Sequence, residues 1–375
     1  MTAAAHDHRM PNEGPSITAL PKVSLHDHLD GGLRPGTVLE LAAEHGVALP
    51  AADADALARW FVESSSSGSL ESYLETFDLV VAVLQTAPAL TRVAHEAVLD
   101  LAADGVVHAE LRWAPEQHLR QGLDLDGAVR AVQAGLDAAV AELAAAGTTI
   151  SVGQLLSAMR QGDRSLDVAR TALAHRDSGV LGFDLAGPED GFPASDHREA
   201  LDLLAAEFFP VTLHAGEAAG LDSIRGALVD GRALRLGHGV RLAEDVRVVE
   251  SGPDRTTVEL GPIASWVRDR EIALEVSPSS NLQTGATAQW GPDLDDHPVD
   301  LLHQLGYRVT VNTDNRLMSG TSLSRELALL VQAFDHDLDD LETFQLDAAA
   351  AAFLPLEERA LLAERIREGF DEARS

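Results

Sequence analysis

The chain has 375 residues, of which 45% are apolar and 23% charged, and this composition is typical of a folded globular protein. Its 28 lysines and arginines are outnumbered by 60 aspartates and glutamates, and the formal net charge of −32 argues against nucleic-acid and anionic-membrane partners through repulsion. Cysteine is absent, which excludes disulfides, thiolate metal sites and cysteine nucleophiles and makes a cytoplasmic protein the default expectation.

Residues 1–20 form a polar segment that contains two prolines, and we predict that this segment is a mobile tail. It lacks the basic start and apolar centre of a secretory signal, and no apolar run in the chain approaches the roughly 20 residues that cross a bilayer. The tripeptide His6-Asp7-His8 has the spacing of a metal-binding pair. Because nothing in this segment would hold its backbone in place, we interpret the tripeptide as having no function.

Eight short apolar, β-branched runs follow, separated by Ala/Leu/Glu/Arg-rich stretches with helical spacing. Such alternation indicates an α/β fold with a parallel sheet, and eight repeats predict a closed (β/α)₈ TIM-type barrel formed by residues 21–375 as a single domain. An open doubly wound sheet is the alternative, although no GxGxxG follows the first strand. The predicted strands are residues 22–28, 106–113, 149–157, 180–187, 210–217, 234–239, 272–278 and 308–314.

About 75 residues separate the first two predicted strands, far more than one crossover helix needs. We predict a helix over 35–45 that is closed by Gly46, and a second helix over 70–84 with one apolar stripe. A helical insertion over 31–100 near the barrel mouth fits these features, and a peripheral elaboration is the alternative. Beyond residue 320 the pattern is helical to the C-terminus.

Four of the predicted strands end in titratable side chains. The two histidines of the first strand are two residues apart, so they point to the same side at roughly 6.6 Å along the chain and can converge on one ion. In a barrel, such strand ends lie on the face where active sites are built. A single residue of this kind could equally be a hydrogen-bonded core residue or a helix cap, but four such strand ends predict a catalytic site. The residues are His26, His28, His214, Glu217, His238 and Asp314.

Three histidines and one aspartate, without cysteine, form a nitrogen and oxygen ligand set that suits Zn²⁺ or another divalent transition ion with a position open for water. Such an ion lowers the pKa of its water toward 7, so that hydroxide is available at neutral pH. Glu217 and His238 would then handle protons. These groups predict a hydrolase that attacks an electron-poor carbon and protonates a leaving group.

At these residues the chain resembles the adenosine deaminase family of the metal-dependent amidohydrolases. Six segments carry the resemblance, in family order, over about residues 20–335. They are PKVSLHDHLDGG (21–32), FDLAGPE (183–189), TLHAGE (212–217), LGHG (236–239), SPSSNLQTGA (277–286) and VNTDN (311–315). The resemblance implies the (β/α)₈ barrel and zinc-dependent hydrolytic deamination of adenosine, together with 2′-deoxyadenosine, to the inosine product and ammonia.

The resemblance also implies a role for each catalytic residue. Glu217 would protonate purine N1, which draws electron density from C6 so that metal-bound hydroxide can add there. His238 would orient and deprotonate the metal water, and Asp314 would help to position that water. The ligands of one Zn²⁺ per chain would be His26, His28, His214 and Asp314.

Four residues would meet the substrate. Gly187 would approach purine N3 through its backbone, Asp30 would contact the ribose, and His28 would lie beside the substrate. The fourth, Asn315, departs from the commonest family pattern of two aspartates after the eighth strand. The second residue of that pair faces purine N7, an acceptor, and an amide donates to it at any pH, whereas a carboxylate donates only when protonated. The departure is compatible with a purine and leaves the finer specificity open.

Three alternatives stay open at this point. Related family members deaminate other adenine derivatives, such as free adenine or aminodeoxyfutalosine. A phosphoester or lactone hydrolase could use the same metal barrel, although phosphate substrates favour arginine or lysine at the mouth and only Arg112 and Arg316 lie at strand ends. A catalytically dead binding protein would usually lack a ligand or the acid, and all are retained. Oligomeric state has no signature in the sequence.

Overall fold

Eight parallel strands form a closed barrel in the computed structural model, which describes residues 7–11, 14–251 and 256–375. Apolar, β-branched segments form these strands because their two faces are covered by the barrel interior and by the surrounding helices. Two further strands, β7 and β8, pair as an antiparallel hairpin outside the barrel. The strands are β1 (Lys22–His28), β2 (Val106–Trp113), β3 (Ser151–Met159), β4 (Val180–Ala186), β5 (Thr212–Ala215), β6 (Arg235–His238), β7 (Val246–Ser251), β8 (Thr256–Leu260), β9 (Ala273–Val276) and β10 (Val309–Val311).

The barrel is hydrogen-bonded as two arcs of four parallel strands, in the orders β1-β2-β3-β4 and β10-β9-β6-β5. Two short bridges join the arcs, one between Asp27 and Asp314 and the other between Phe183 and Val211. The predicted fold class is therefore confirmed, and all eight predicted barrel strands are present. The third strand begins at Ser151, two residues later than predicted.

Helices follow the strands and form the outer layer. Among the described residues, no single helix is both long and apolar enough to cross a membrane, although the bent pair Leu70–Val83 and Ala87–Ala103 meets those criteria together. The helices are α1 (Pro35–His45), α2 (Ala54–Ser65), α3 (Leu70–Glu75), α4 (Phe77–Val83), α5 (Ala87–Ala103), α6 (Leu125–Ala145), α7 (Ser165–Ala174), α8 (Arg198–Ala206), α9 (Leu221–Val229), α10 (Pro262–Asp269), α11 (Pro278–Gln283), α12 (Val299–Gln304), α13 (Arg316–Ser319), α14 (Leu323–Phe334), α15 (Leu338–Ala351) and α16 (Leu356–Arg374).

The stretch between β1 and β2 contains α1 to α5. Helix α1 ends as predicted at Gly46, whose φ of 68° is a left-handed conformation that glycine adopts without strain. The helix predicted over 70–84 is instead interrupted at Thr76. The Thr76 hydroxyl donates to the Tyr73 carbonyl at 2.7 Å, and such side-chain bonds compete with the helical ladder. Two short helices, α3 and α4, result.

Part of the N-terminal segment, for which we predicted a mobile tail, packs against the barrel. Ile17 and Leu20 are buried, and the ammonium group of Lys22 donates to the carbonyl of each at 2.7 Å. Of the tripeptide His6-Asp7-His8, His6 lies outside the described residues.

Two elements outside the barrel bear on the predictions. Leu362, Ile366 and Phe370 of α16 are buried, and this helix confirms the helical pattern predicted beyond residue 320. The β7–β8 hairpin was not predicted, because its neighbouring residues Val248 and Val249 are both about half exposed and break the apolar–polar alternation of a half-buried strand.

Candidate active site

Three histidines and one aspartate converge at the carboxyl ends of the barrel strands. His26 and His28 end β1, His214 lies in β5, and Asp314 follows β10. Asp314 Oδ1 lies 3.2 Å from His26 Nε2 and 3.3 Å from His28 Nε2. His28 Nε2 in turn lies 3.2 Å from His214 Nε2. The structure thus brings together the four residues expected to hold a metal ion.

The chemical state of these groups fits a divalent ion. Burial lowers the pKa of His28 to about 3 and also lowers the pKa of His214, so both imidazoles are neutral at neutral pH. Burial alone would raise the pKa of Asp314, but contact with His26 and other nearby imidazoles holds that pKa well below its ordinary value. Neutral imidazoles and an ionised carboxylate are the forms that bind metal. His26 Nε2 is also buried and has no hydrogen-bond partner among the described residues, so this nitrogen is available to bind a metal ion.

Two carboxylates beneath the cluster orient two of its histidines. His26 Nδ1 lies 3.0 Å from Glu275 Oε2, and His214 Nδ1 lies 3.1 Å from Asp184 Oδ1. Each carboxylate accepts from Nδ1 and therefore leaves the Nε2 lone pair facing the cluster. Arg112 joins the two, with Nη2 2.6 Å from Glu275 Oε2 and Nη1 3.4 Å from Asp184 Oδ2. All five side chains are buried or nearly so.

The backbone at two site residues is strained. Asp314 has φ 55° and His238 has φ 62°, values that residues with a Cβ rarely adopt. Asp314 is held there by its place in the bridge between the two barrel arcs. Its carboxylate is fixed as well, because Ser280 Oγ donates to Oδ2 at 2.6 Å and leaves Oδ1 for the cluster.

Glu217 is a buried acid at the rim of the cluster. Burial raises its pKa well above the ordinary value, and the charges of Asp314 and Glu189 add to that rise. Burial therefore favours the protonated form of this carboxyl group. Oε2 lies 3.4 Å from His238 Nε2, whereas Oε1 is buried without a hydrogen-bond partner among the described residues. Oε1 is thus the Glu217 oxygen that is free to form a hydrogen bond with a bound nucleobase.

A chain of hydrogen bonds fixes the tautomer of His238. Val299 N donates to His297 Nδ1 at 3.0 Å, so the proton of neutral His297 lies on Nε2, which donates to Asn281 Oδ1 at 3.3 Å. Asn281 Nδ2 then donates to His238 Nδ1 at 3.0 Å. Burial and neighbouring imidazoles lower the pKa of His238 well below its ordinary value, so its single ring proton lies on Nε2, facing Glu217.

This tautomer bears on whether His238 is a ligand. One nitrogen or oxygen each of His26, His214, His238 and Asp314 lie within 4.8 Å of one another, so position alone would allow His238 to bind an ion. However, Nδ1 already accepts a hydrogen bond and Nε2 carries a proton. His238 therefore suits donation of a hydrogen bond rather than metal binding.

A cavity of about 910 Å³, including its open mouth, lies above the cluster. The insertion forms one wall through Leu70, Tyr73, Leu74, Phe77 and Val81. The residues predicted to contact substrate all line the cavity, and they are His28, Asp30, Gly187 and Asn315. Other lining residues belong to no recognised motif and were therefore not predicted, and they include Asp78, Gln117, Ser157, Met159 and Gln161.

The orientation of Asn315 is set by Gly31. A Cβ on Gly31 would lie 1.9 Å from Asn315 Oδ1, so only glycine leaves room for this amide. Asn315 Oδ1 is buried without a hydrogen-bond partner among the described residues. The amide oxygen is thus turned toward the backbone of Gly31, and the side chain of Asn315 lines the cavity.

Positive charge is kept out of the cavity. Among the described residues that line it there is no lysine or arginine. Arg112 lies beneath the cluster against Glu275, and Arg316 Nε lies 2.8 Å from Asp27 Oδ2 and lines a different cavity. The two arginines that the sequence places at strand ends therefore do not face a substrate in this cavity.

Known proteins resemble this chain over nearly its whole length. A family model described as adenosine deaminase matches residues 21–369. Adenosine deaminase 1 of Streptomyces coelicolor is 52% identical over 361 residues, which cover 96% of this chain and 89% of that protein. The adenosine deaminase of Mycobacteroides abscessus is 51% identical over 357 residues, which cover 95% of this chain and 96% of that protein.

Solved structures with the same fold have different substrates. An adenine deaminase from Arthrobacter aurescens superposes with a TM-score of 0.78 at 25% identity, covering 93% of this chain and 99% of that one. The N6-methyl-AMP deaminase of Arabidopsis thaliana has a TM-score of 0.75 at 26% identity, covering 95% and 97%. An amidohydrolase from Burkholderia ambifaria has a TM-score of 0.81 at 24% identity, covering 96% and 92%. Likeness of fold alone does not select among these substrates.

Proposed function

The chain belongs to the adenosine deaminase family, and on that premise we propose that it hydrolyses adenosine and 2′-deoxyadenosine to the corresponding inosine product and ammonia. The observation that carries the proposal is the placing of the buried Glu217 carboxyl group beside a cluster of metal-ligand atoms in one cavity. A cytoplasmic location is part of the same proposal.

The residues of the cluster fit a divalent metal, and we propose one Zn²⁺ per chain. Three imidazole nitrogens and one carboxylate oxygen form a set that zinc accepts while keeping a position for water. When bound, such an ion supplies a nucleophile at neutral pH by lowering the pKa of that water. The ligands would be His26, His28, His214 and Asp314.

In the proposed reaction, Glu217 transfers a proton and His238 orients the water. Glu217 Oε1 would give its proton to purine N1, so that C6 becomes electrophilic. His238 Nε2–H would donate a hydrogen bond that orients the attacking water. This role is narrower than orienting and deprotonating the water, because the tautomer set by Asn281 leaves no free lone pair on the ring. Asp314 would help to position the water beside the cluster, where the hydrogen bond from Ser280 Oγ fixes its carboxylate.

Three residues would hold the substrate in register. Gly187 has φ 94°, and a Cβ there would lie 2.6 Å from Gln161 Oε1, so its backbone is open to purine N3. Asp30 Oδ1 is buried without a hydrogen-bond partner among the described residues and would accept from a ribose hydroxyl. Asn315 would donate its amide to purine N7.

The charge of the cavity favours a nucleoside over a nucleotide. A 5′-phosphate carries about two negative charges and is normally met by arginine or lysine. The cavity wall instead contributes Asp30, Asp78 and Asp314, and no cationic side chain among its described residues. We therefore propose that the substrate is uncharged, unlike the N6-methyl-AMP of the Arabidopsis protein.

One substrate panel tests the function. Purified enzyme would be mixed with adenosine, 2′-deoxyadenosine, adenine and AMP at matched concentrations, and loss of absorbance near the adenine band would be followed with and without a chelator. We expect adenosine and 2′-deoxyadenosine to react fastest, AMP to react at least about a hundredfold more slowly, and the chelator to abolish the reaction. Preference for adenine or AMP would overturn the proposal.

A further inference from the structure

Glu189 lies in the loop after β4, and its carboxylate is turned toward the neighbouring loop that carries Glu217. Oε1 accepts from Gly216 N at 2.6 Å. Oε2 accepts from the backbone N–H groups of Glu217, Ala218 and Ala219 at 3.0, 2.7 and 3.0 Å. One side chain therefore holds four successive backbone donors, and the second of them belongs to the residue that we propose as the acid.

The carbonyl groups of Gly216 and Ala218 accept from Arg241 N and Nη1 at 3.1 and 2.8 Å, whereas the four N–H groups of residues 216–219 depend on Glu189. Gly216 has φ 77°, and Gly220, which precedes α9, provides no side-chain cap. Without Glu189 these N–H groups would lose their acceptor, and Gly216 and Glu217 are buried, where unmet donors are costly. Glu189 is itself 3% exposed, so water does not substitute for its oxygens.

Burial of the Glu189 carboxylate near a second acid is energetically unfavourable. Glu189 lies close enough to Glu217 for its charge to add to the rise in the pKa of that acid. Arg160 lies nearby but is directed elsewhere, since its Nη2 donates to the His214 carbonyl at 2.6 Å. Glu189 and Glu217 thus lie near each other despite their charges. The four hydrogen bonds from the backbone to Glu189 offset the cost of this arrangement.

We propose that Glu189 is a positioning residue, which fixes the backbone of residues 216–219 and thereby places the Glu217 carboxyl group against the substrate base. The inference rests on the proposed function, because it requires Glu217 to be the acid. Glu189 itself lines no part of the cavity and would touch neither substrate nor metal.

Glu189→Gln tests the proposal. The amide keeps the size of the side chain, but its NH₂ group is a donor and cannot accept a hydrogen bond from a backbone N–H group. At least one of the four hydrogen bonds is therefore lost. We expect kcat to fall about 10- to 100-fold, the scale seen when a catalytic group is loosened by a fraction of an ångström, while KM and inhibition by inosine change less than about threefold. Glu189→Asp keeps the charge but is one methylene shorter, and it should lose activity as well because it cannot reach all four donors.

A double-mutant cycle separates positioning from a general loss of structure. In a Glu217→Gln background, Glu189→Gln should lower kcat by less than about twofold, because both changes act on one step. If Glu189→Gln does not fold, Glu189→Asp carries the same cycle. The matched control is Asp245→Asn, since Asp245 Oδ2 accepts from Ile263 N and Ala264 N at 2.8 Å at the start of α10, away from the cavity, and kcat should not change.

Wild-type kcat in Glu189→Gln or in Glu189→Asp, or an equal loss in both backgrounds, would overturn the inference. The wild-type enzyme is assayed beside the variants. If the wild type itself failed to deaminate adenosine, the proposed function would fall whatever Glu189 does, whereas an active wild type with additive losses would refute the role of Glu189 alone.

Discussion

Arg112 and Glu275 form a fully buried ion pair inside the barrel, with Nη2 2.6 Å from Oε2. The same Glu275 oxygen accepts from His26 Nδ1. Burial alone would raise the pKa of Glu275, but the two guanidinium groups beside it, Arg112 and Arg235, hold that pKa well below its ordinary value. The carboxylate therefore stays ionised and can orient His26 throughout the physiological pH range.

We expect Glu275→Gln to weaken zinc binding. An amide oxygen orients His26 less strongly than a carboxylate, and loss of such a partner costs about 10- to 100-fold in metal affinity. Competition with a chromophoric chelator measures the change. Glu142→Gln, an exposed glutamate that pairs with His95, is the control and should bind zinc as the wild type does. An unchanged zinc affinity in Glu275→Gln would show that Glu275 does not orient His26 for metal binding.

His214→Ala should lose both metal and activity, because three remaining ligands hold an ion poorly. Purified wild type should contain about one zinc per chain by elemental analysis, and the variant should contain much less. His95→Ala removes a half-buried surface imidazole and should change neither quantity. Full activity in metal-free wild type would contradict the mechanism.

Glu217→Gln should lower kcat by about 10² to 10⁴, the scale of a positioned general acid, with little change in substrate affinity. Because burial raises the pKa of Glu217, wild-type kcat should fall as pH rises through that raised pKa and the proton is lost. The variant should lack this alkaline decrease. A kcat within about threefold of wild type would place the acid elsewhere.

The amide of Asn315 can be tested with 7-deazaadenosine, in which CH replaces N7. A donor left facing carbon costs about 1–3 kcal/mol, so kcat/KM should fall by about one to two orders of magnitude. Asn315→Ala should already be slow on adenosine and should show a much smaller further loss with the analogue, since both changes break one contact. Equal analogue effects in wild type and variant would mean that Asn315 does not contact N7.

Asp347 provides a prediction about stability. Burial raises its pKa from 3.8 to about 6, so the folded chain holds the proton more tightly than the unfolded chain does. Folding is then penalised fully above about pH 6, and the penalty disappears as pH falls below about 4. Asp347→Asn should raise the free energy of unfolding at about pH 7.5 by roughly 1–3 kcal/mol, and by much less at about pH 4.5. Urea denaturation at the two pH values measures this, and an equal effect at both would refute it.

The strands and the residues at their ends could be predicted from the sequence because both follow local rules. Apolar β-branched runs indicate strands, and the barrel brings every strand end to one face. Asp184, Glu275 and Glu189 could not be found in this way. Asp184 and Glu275 are acidic residues within apolar strands. Their role becomes visible only in the folded barrel, where Arg112, from another strand, lies between them. Glu189 acts on backbone groups of another loop, and backbone groups carry no sequence signal.

The interruption at Thr76 had a weak local signal, since threonine can bond to a preceding carbonyl, but the apolar stripe of 70–84 continues through it. The tautomer of His238 had no local signal in the sequence. It depends on a relay from Val299 N through His297 and Asn281, residues from two segments that only the folded barrel brings together.

The seam between the two barrel arcs has a thermodynamic consequence. The arcs meet through isolated bridges, and the proposed ligands come from both of them, with His26 and His28 on one arc and His214 and Asp314 on the other. An ion held by all four would cross-link the two arcs, so melting would be linked to metal release. The apparent melting temperature should therefore rise with the free zinc concentration.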